Sequence, residues 1–130
     1  MPFPVDAKQI EATEQKIGAK FPSWFRTHMM CSNGGEVEAA DDVWILHPFL
    51  DASDRKRLAR TCNDIVRETE QAKKWTGWPA NALCIASNGG GDHLAFLVEG
   101  TEVAPAVYAW WHETGELQEV ADDFIELIEE

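Results

Sequence analysis

Ala82-Leu-Cys-Ile-Ala-Ser-Asn-Gly-Gly-Gly-Asp-His-Leu-Ala-Phe-Leu-Val98 is the stretch on which the fold turns. Two compact apolar runs, Ala82 to Ala86 and Leu94 to Val98, flank a turn-forming string from Ser87 to Asp92, the pattern of an antiparallel hairpin. Downstream, Ala106 to Trp111 reads as another strand, His112-Glu-Thr-Gly115-Glu as a turn and Leu117 to Val120 as its hairpin partner, after a loop from Glu99 to Pro105. Asp122 or Asp123 then caps a closing helix whose Phe124, Leu127 and Ile128 face inward. Upstream, Trp75-Thr-Gly-Trp78-Pro79 breaks a helix capped by Asp51 or Asp54, in which Leu58, Cys62, Ile65, Thr69 and Ala72 recur every three or four residues.

Further towards the start, Val43 to Leu46 is β-branched and aromatic and fits an early strand closed by His47-Pro48. Asp6 with Gln9 begins a helix that Gly18 ends near residue 17. Pro22 opens a second, with Trp24, Phe25, His28 and Met29 as its apolar stripe. Ser32-Asn33-Gly34-Gly35 turns the chain into extended structure, since Asn and Gly take positive φ at little steric cost. The expectation is one α+β domain over residues 1–130, a mostly antiparallel sheet of about five to six strands with flanking helices.

Charge narrows the function. Of 23 acidic and 11 basic residues, residues 1–74 hold every base and 12 acids, whereas residues 75–130 hold 11 acids and no base. An anionic field of that kind repels phosphate backbones, so no direct nucleic-acid partner is expected; a basic protein is attracted. The interleaved Arg, Lys, Asp and Glu of the 54–72 helix read as a solvated face. The longest apolar run, Ala106 to Trp111, is far short of the ~20 residues of a membrane helix. The opening Met-Pro-Phe-Pro-Val-Asp lacks the pattern of a secretory signal, so a cytoplasmic location is expected.

Chemistry is harder to find. Cys31, Cys62 and Cys84 are odd in number, without a Cys-x-x-Cys pair, and read as small buried hydrophobes. His28, His47, His93 and His112 show no metal-ligand spacing; adjacent Asp92-His93 and His112-Glu113 leave opposite faces of a strand. The turn Asn88-Gly89-Gly90-Gly91-Asp92 lacks the Lys-Ser/Thr ending of a phosphate loop, leads into a strand and carries a carboxylate. No nucleophile–base arrangement is readable, and neither cofactor nor metal is expected. Trp110 and Trp111 leave opposite faces of one strand, so one of them is a candidate interface residue unless loops such as Glu36 to Asp42 cover the second face.

The ordered series Ile17-Gly18, Phe21-Pro22-Ser-Trp-Phe25, Asn33-Gly34-Gly35, Ile45-Leu-His-Pro48, Trp78-Pro79, Leu83-Cys-Ile-Ala86, Asn88-Gly-Gly-Gly91-Asp92, Val107-Tyr-Ala-Trp110 and His112-Glu-Thr-Gly115-Glu116 resembles the SUKH superfamily, in its branch of fungal cell-wall-assembly regulators and bacterial immunity proteins. The resemblance implies an α+β sheet with flanking helices and, in bacteria, an antidote that binds a polymorphic toxin, often a nuclease. It brings no catalytic residues; Asn33, Gly35, Gly90 and Asp92 carry over as architecture first. Trp111 stands where a polar residue would be expected. The reading is a non-enzymatic immunity protein that binds a basic toxin domain through an acidic, aromatic surface, with Trp44, Asp92, Trp111, Glu113 and Glu116 as candidate contacts. The alternatives are a regulatory scaffold for a cellular protein and an unrecognised hydrolase in which a cleft brings His93 or His112 near carboxylates. Oligomeric state is not readable.

Overall fold

A computed structural model describes residues 2–128. In chain order the elements are α1 Ala7–Ile17, α2 Ser23–Cys31, β1 Glu36–Ala39, β2 Asp42–Leu46, α3 Arg55–Arg60, α4 Ile65–Ala72, β3 Ala82–Ser87, β4 His93–Glu99, β5 Glu102–Val103, β6 Val107–Trp111, β7 Glu116–Ala121 and α5 Ile125–Ile128. The strands form one sheet of order β1-β2-β3-β4-β6-β7, with β5 paired to β4 and every pairing between strands antiparallel. The fold is α+β, as the hairpin at 82–98 and the flanking helical patterns require.

Local chemistry explains the element ends. Asp6 accepts the Lys8 amide at the start of α1, and Gly18 closes that helix in the left-handed region at φ 74°. The long helix expected through residue 72 is two helices. Asp64 accepts the amides of Val66 and Arg67 and begins α4 afresh, because a short acceptor side chain competes with continuation of the helix before it. As a result Leu58 and Cys62 are exposed, as is Cys31 at the end of α2, whereas Cys84 is buried as expected. Trp24 also leaves its expected stripe for solvent, while Phe25 and Met29 point inward. Two segments read as loops hold strands: 36–42 contributes β1, and 99–105 contributes β5.

Both faces of the sheet are covered in part. On one, Phe21, Phe25, Phe49, Phe96 and Phe124 pack ring against ring with Ile10, Met29 and the inward residues of the strands. On the other, Ala72 of α4 and Trp78 close over Ala82, Cys84, Ala95 and Trp110, flanked by Trp75 and Leu97. The cover of the second face is α4 and the Trp75–Trp78 segment, not the 36–42 loop; β1 is itself part of the sheet.

Candidate functional site

Three hairpin turns meet at one end of the sheet. The β1–β2 turn places Ala40 and Asp41 at φ 51° and 60°, the pair of positive values that suits the twist of a two-residue hairpin. Asn88 in the β3–β4 turn donates through Nδ2 to Asp42 at 2.9 Å and to Asp92 at 3.1 Å, while its Oδ1 accepts the Gly90 and Asp92 amides. Asp92 Oδ1 accepts the His112 amide at 3.0 Å and lies 2.7 Å from His112 Nδ1, which ties in the β6–β7 turn. Gly91, at φ 101°, passes so close to His112 that a Cβ would lie 3.0 Å from Nδ1. Burial opposes ionisation of Asp92, but the hydrogen bonds from His112 and Asn88 outweigh it and hold the carboxyl below its usual range.

The result is a fastened, anionic end carrying Asp41, Asp42, Asp92, Glu113 and Glu116, with no Lys or Arg in the β3–β4 or β6–β7 turns. Glu113 and Glu116 are exposed. Asp92 is largely occupied in holding the turns, so it positions the surface more than it presents itself. Trp111 is half-buried, its Nε1 donating to Gln118 at 3.0 Å and its ring 6.1 Å from that of Trp44. Trp44 is 0% exposed, its indole donating to the Ala39 carbonyl, so it supports this end from beneath and offers no surface to a partner. Trp110 is buried on the opposite face.

Sequence reasoning missed two residues beside these turns. Val43 and Ile45 are 43% and 59% exposed on the outward side of β2, facing Glu38 and Glu36 across the β1–β2 ladder. They form an apolar pair inside a carboxylate rim. The alternation Glu36-Val-Glu-Ala39 was the available signal for β1, and with it for the outward side of β2. The expected turn residues keep their place: Asn33 both donates to and accepts from the Phe49 backbone, joining the end of α2 to the segment after β2, and Gly34 and Gly35 take φ of 133° and 91°.

The histidines divide. His28 packs its ring on Phe124. His47 and His93, distant in sequence, come together with Cys84 beneath α4. Cys84 Sγ lies 3.4 Å from His93 Nδ1, a contact of the kind that activates thiols, but here the chemistry points away from a nucleophile. The thiol is wholly buried; burial first, and the negative Glu68 second, push it up to about 12. Burial and the nearby His93 bring His47 down to about 4, and burial also lowers His93 and raises Glu68.

The model of the SMI1 / KNR4 family (SUKH-1) matches residues 4–130, essentially the whole chain. The chain belongs to this family. Members of the SUKH family are generally non-enzymatic immunity or regulatory proteins. The ordered motifs that carry the SUKH resemblance include the β3–β4 and β6–β7 turns of this end, together with the α1 and α2 boundaries and the Trp78–Pro79 segment. No curated protein matches the chain significantly. Among the described residues no helix is long and apolar enough to cross a membrane.

Proposed function

We propose that this SUKH-1 protein is an immunity protein: it binds a basic toxin domain and neutralises it by occlusion without chemistry of its own. The observation that carries the reading is the rigid, anionic three-turn end bordered by the exposed Val43–Ile45 pair. Exposed apolar side chains inside a charged rim are the usual anatomy of a protein-binding patch, and the negative field speeds encounter with a cationic partner. Hydrogen bonds between the turns hold the Asp42 and Asp92 carboxylates, and the backbone of the β6–β7 turn that carries Glu113, in place before binding, which reduces the ordering cost on association. Glu113, Glu116, Val43 and Ile45 are the proposed contacts, with Asp92 positioning the β6–β7 turn and Trp111 available to the partner only from the Trp44 side of the sheet.

Coexpression with the product of the adjacent gene tests this. The wild-type chain restores growth and copurifies with that product, and the Asp41→Lys/Glu113→Lys/Glu116→Lys chain, folded as judged by circular dichroism, does neither. Equal rescue by both proteins would refute the proposed surface, and absence of rescue by the wild-type chain would refute the immunity reading.

A further inference from the structure

The buried cluster beneath α4 has no role in the binding surface, and its composition is that of a ligand set. His47 follows the end of β2, Cys84 lies in the middle of β3 and His93 begins β4; one donor atom from each lies within 4.8 Å of the others. In a tetrahedral site with metal–nitrogen bonds of about 2.0–2.1 Å and a metal–sulfur bond of about 2.3 Å, neighbouring ligand atoms stand roughly 3.3–3.6 Å apart. The Cys84–His93 edge, at 3.4 Å, already has that length. His47 Nε2 is buried without a hydrogen-bond partner among the described residues, and Glu68 Oε1 stands 3.9 Å from it. Buried polar atoms are ordinarily satisfied, so an orphaned imidazole nitrogen next to a thiol, a second imidazole and a carboxylate points to a missing ligand.

We propose that His47, Cys84 and His93 bind one borderline-soft divalent transition-metal ion of the zinc type, with Glu68, 3.9 Å from His47 Nε2 but outside the three-donor cluster, turning in to complete the coordination. Binding replaces the Cys84 S–H bond with a metal–sulfur bond and releases that proton to solvent. Both imidazoles bind neutral, so the thiolate offsets one charge of the ion and the partly exposed Glu68 carboxylate, at the edge of the cluster, offsets the other. Thiolate and imidazole donors select against magnesium and calcium.

The surroundings already hold the ligands in place. At the bulge between Cys84 and Ala86 the Cys84 amide donates to Thr69 Oγ1 of α4 at 2.9 Å. The His47 amide donates to the Ile85 carbonyl at 2.8 Å. The His93 ring lies against Trp75 with centroids 4.5 Å apart. Partners of this kind around a metal ligand fix its orientation. The cluster's burial makes the site a structural one, a clasp between α4 and strands β2, β3 and β4.

Cobalt(II) titration of the metal-stripped Cys31→Ala/Cys62→Ala chain tests the assignment, because both replaced thiols are exposed and Cys84 is then the sole thiol. The expected result is a near-ultraviolet thiolate charge-transfer band with the intense visible bands of tetrahedral cobalt, saturating at one ion per chain and abolished by zinc. His47→Gln in that background should weaken cobalt at least about tenfold. In the unmutated chain, zinc should raise the melting temperature. A titration with no thiolate band, or a band of unchanged affinity in the His47→Gln chain, would overturn the site. None of these readouts involves the toxin partner, so the two proposals fail separately.

Discussion

Replacing Asp92 by Ala should loosen the β3–β4 and β6–β7 turns from each other. The carboxylate takes part in three contacts: Asn88 Nδ2 at 3.1 Å, the His112 amide at 3.0 Å and His112 Nδ1 at 2.7 Å. Bonds to a charged group contribute about 1.5–3 kcal/mol each when buried, and partial access of water at this end reduces that to about 1 kcal/mol apiece. The expected loss is therefore about 2–3 kcal/mol. With an unfolding entropy of about 2.1 cal/mol/K per residue over 130 residues, each kcal/mol corresponds to about 4 °C, so the melting temperature should fall by about 8–12 °C. Asp92→Asn keeps an acceptor for the His112 amide and should lose about half as much. The pH dependence has a definite sign. The Asp92 carboxyl is held below its unfolded value of 3.8, so its stabilisation is present in full above that value and disappears as pH falls through the folded one. The Asp92→Asn chain should therefore lose less stability than wild type on acidification through that window. Calorimetric melts of the three proteins between neutral and acid pH provide the measurement. An Asp92→Ala chain within about 0.5 kcal/mol of wild type at neutral pH would refute the claim that this carboxylate fastens the turns.

Elsewhere the expected effects follow from single contacts. Phe25→Ala removes a ring whose centroid lies 4.9–5.6 Å from those of Phe21, Phe49, Phe96 and Phe124; it should cost about 3–5 kcal/mol, read as a lower urea midpoint at unchanged slope. Glu14 Oε2 accepts the Phe21 amide at 2.8 Å in a buried setting, so Glu14→Ala should destabilise by about 1–3 kcal/mol in denaturant titrations, whereas Glu14→Gln, which keeps the acceptor, should stay closer to wild type. Ile45→Ala should leave stability within about 0.5 kcal/mol of wild type yet weaken the proposed complex with a basic protein domain by about 1–2 kcal/mol in calorimetric titration.

Much of the architecture was legible because it is written locally. Paired apolar runs around Ser87–Asp92 specify the central hairpin, and Asp6 and Gly18 mark the ends of α1 through capping chemistry that acts over a few residues. What escaped depends on choices between competing local signals. The apolar repeat from Leu58 to Ala72 concealed the Asp64 cap that splits the helix, and Glu36 to Ala39, with one strongly apolar residue, passed for a loop. Facing was ambiguous in Val43-Trp-Ile-Leu46, a run apolar on both sides; pairing with β1 and β3 puts Trp44 inside and leaves Val43 and Ile45 outside. His47, Cys84 and His93 had no spacing to betray them, because strand pairing and the β3–β4 turn bring them together across the fold.

The central claim, that an anionic, preformed end of the sheet captures a basic protein domain, is tested most directly by the association rate constant with that domain at low and high ionic strength. Wild type should associate at least about tenfold more slowly when salt rises from about 0.05 to about 0.5 M, since screening shortens the reach of the field. The Asp41→Lys/Glu113→Lys/Glu116→Lys chain should start slow and show little salt dependence. Rate constants that are the same for both chains and indifferent to salt would contradict the account.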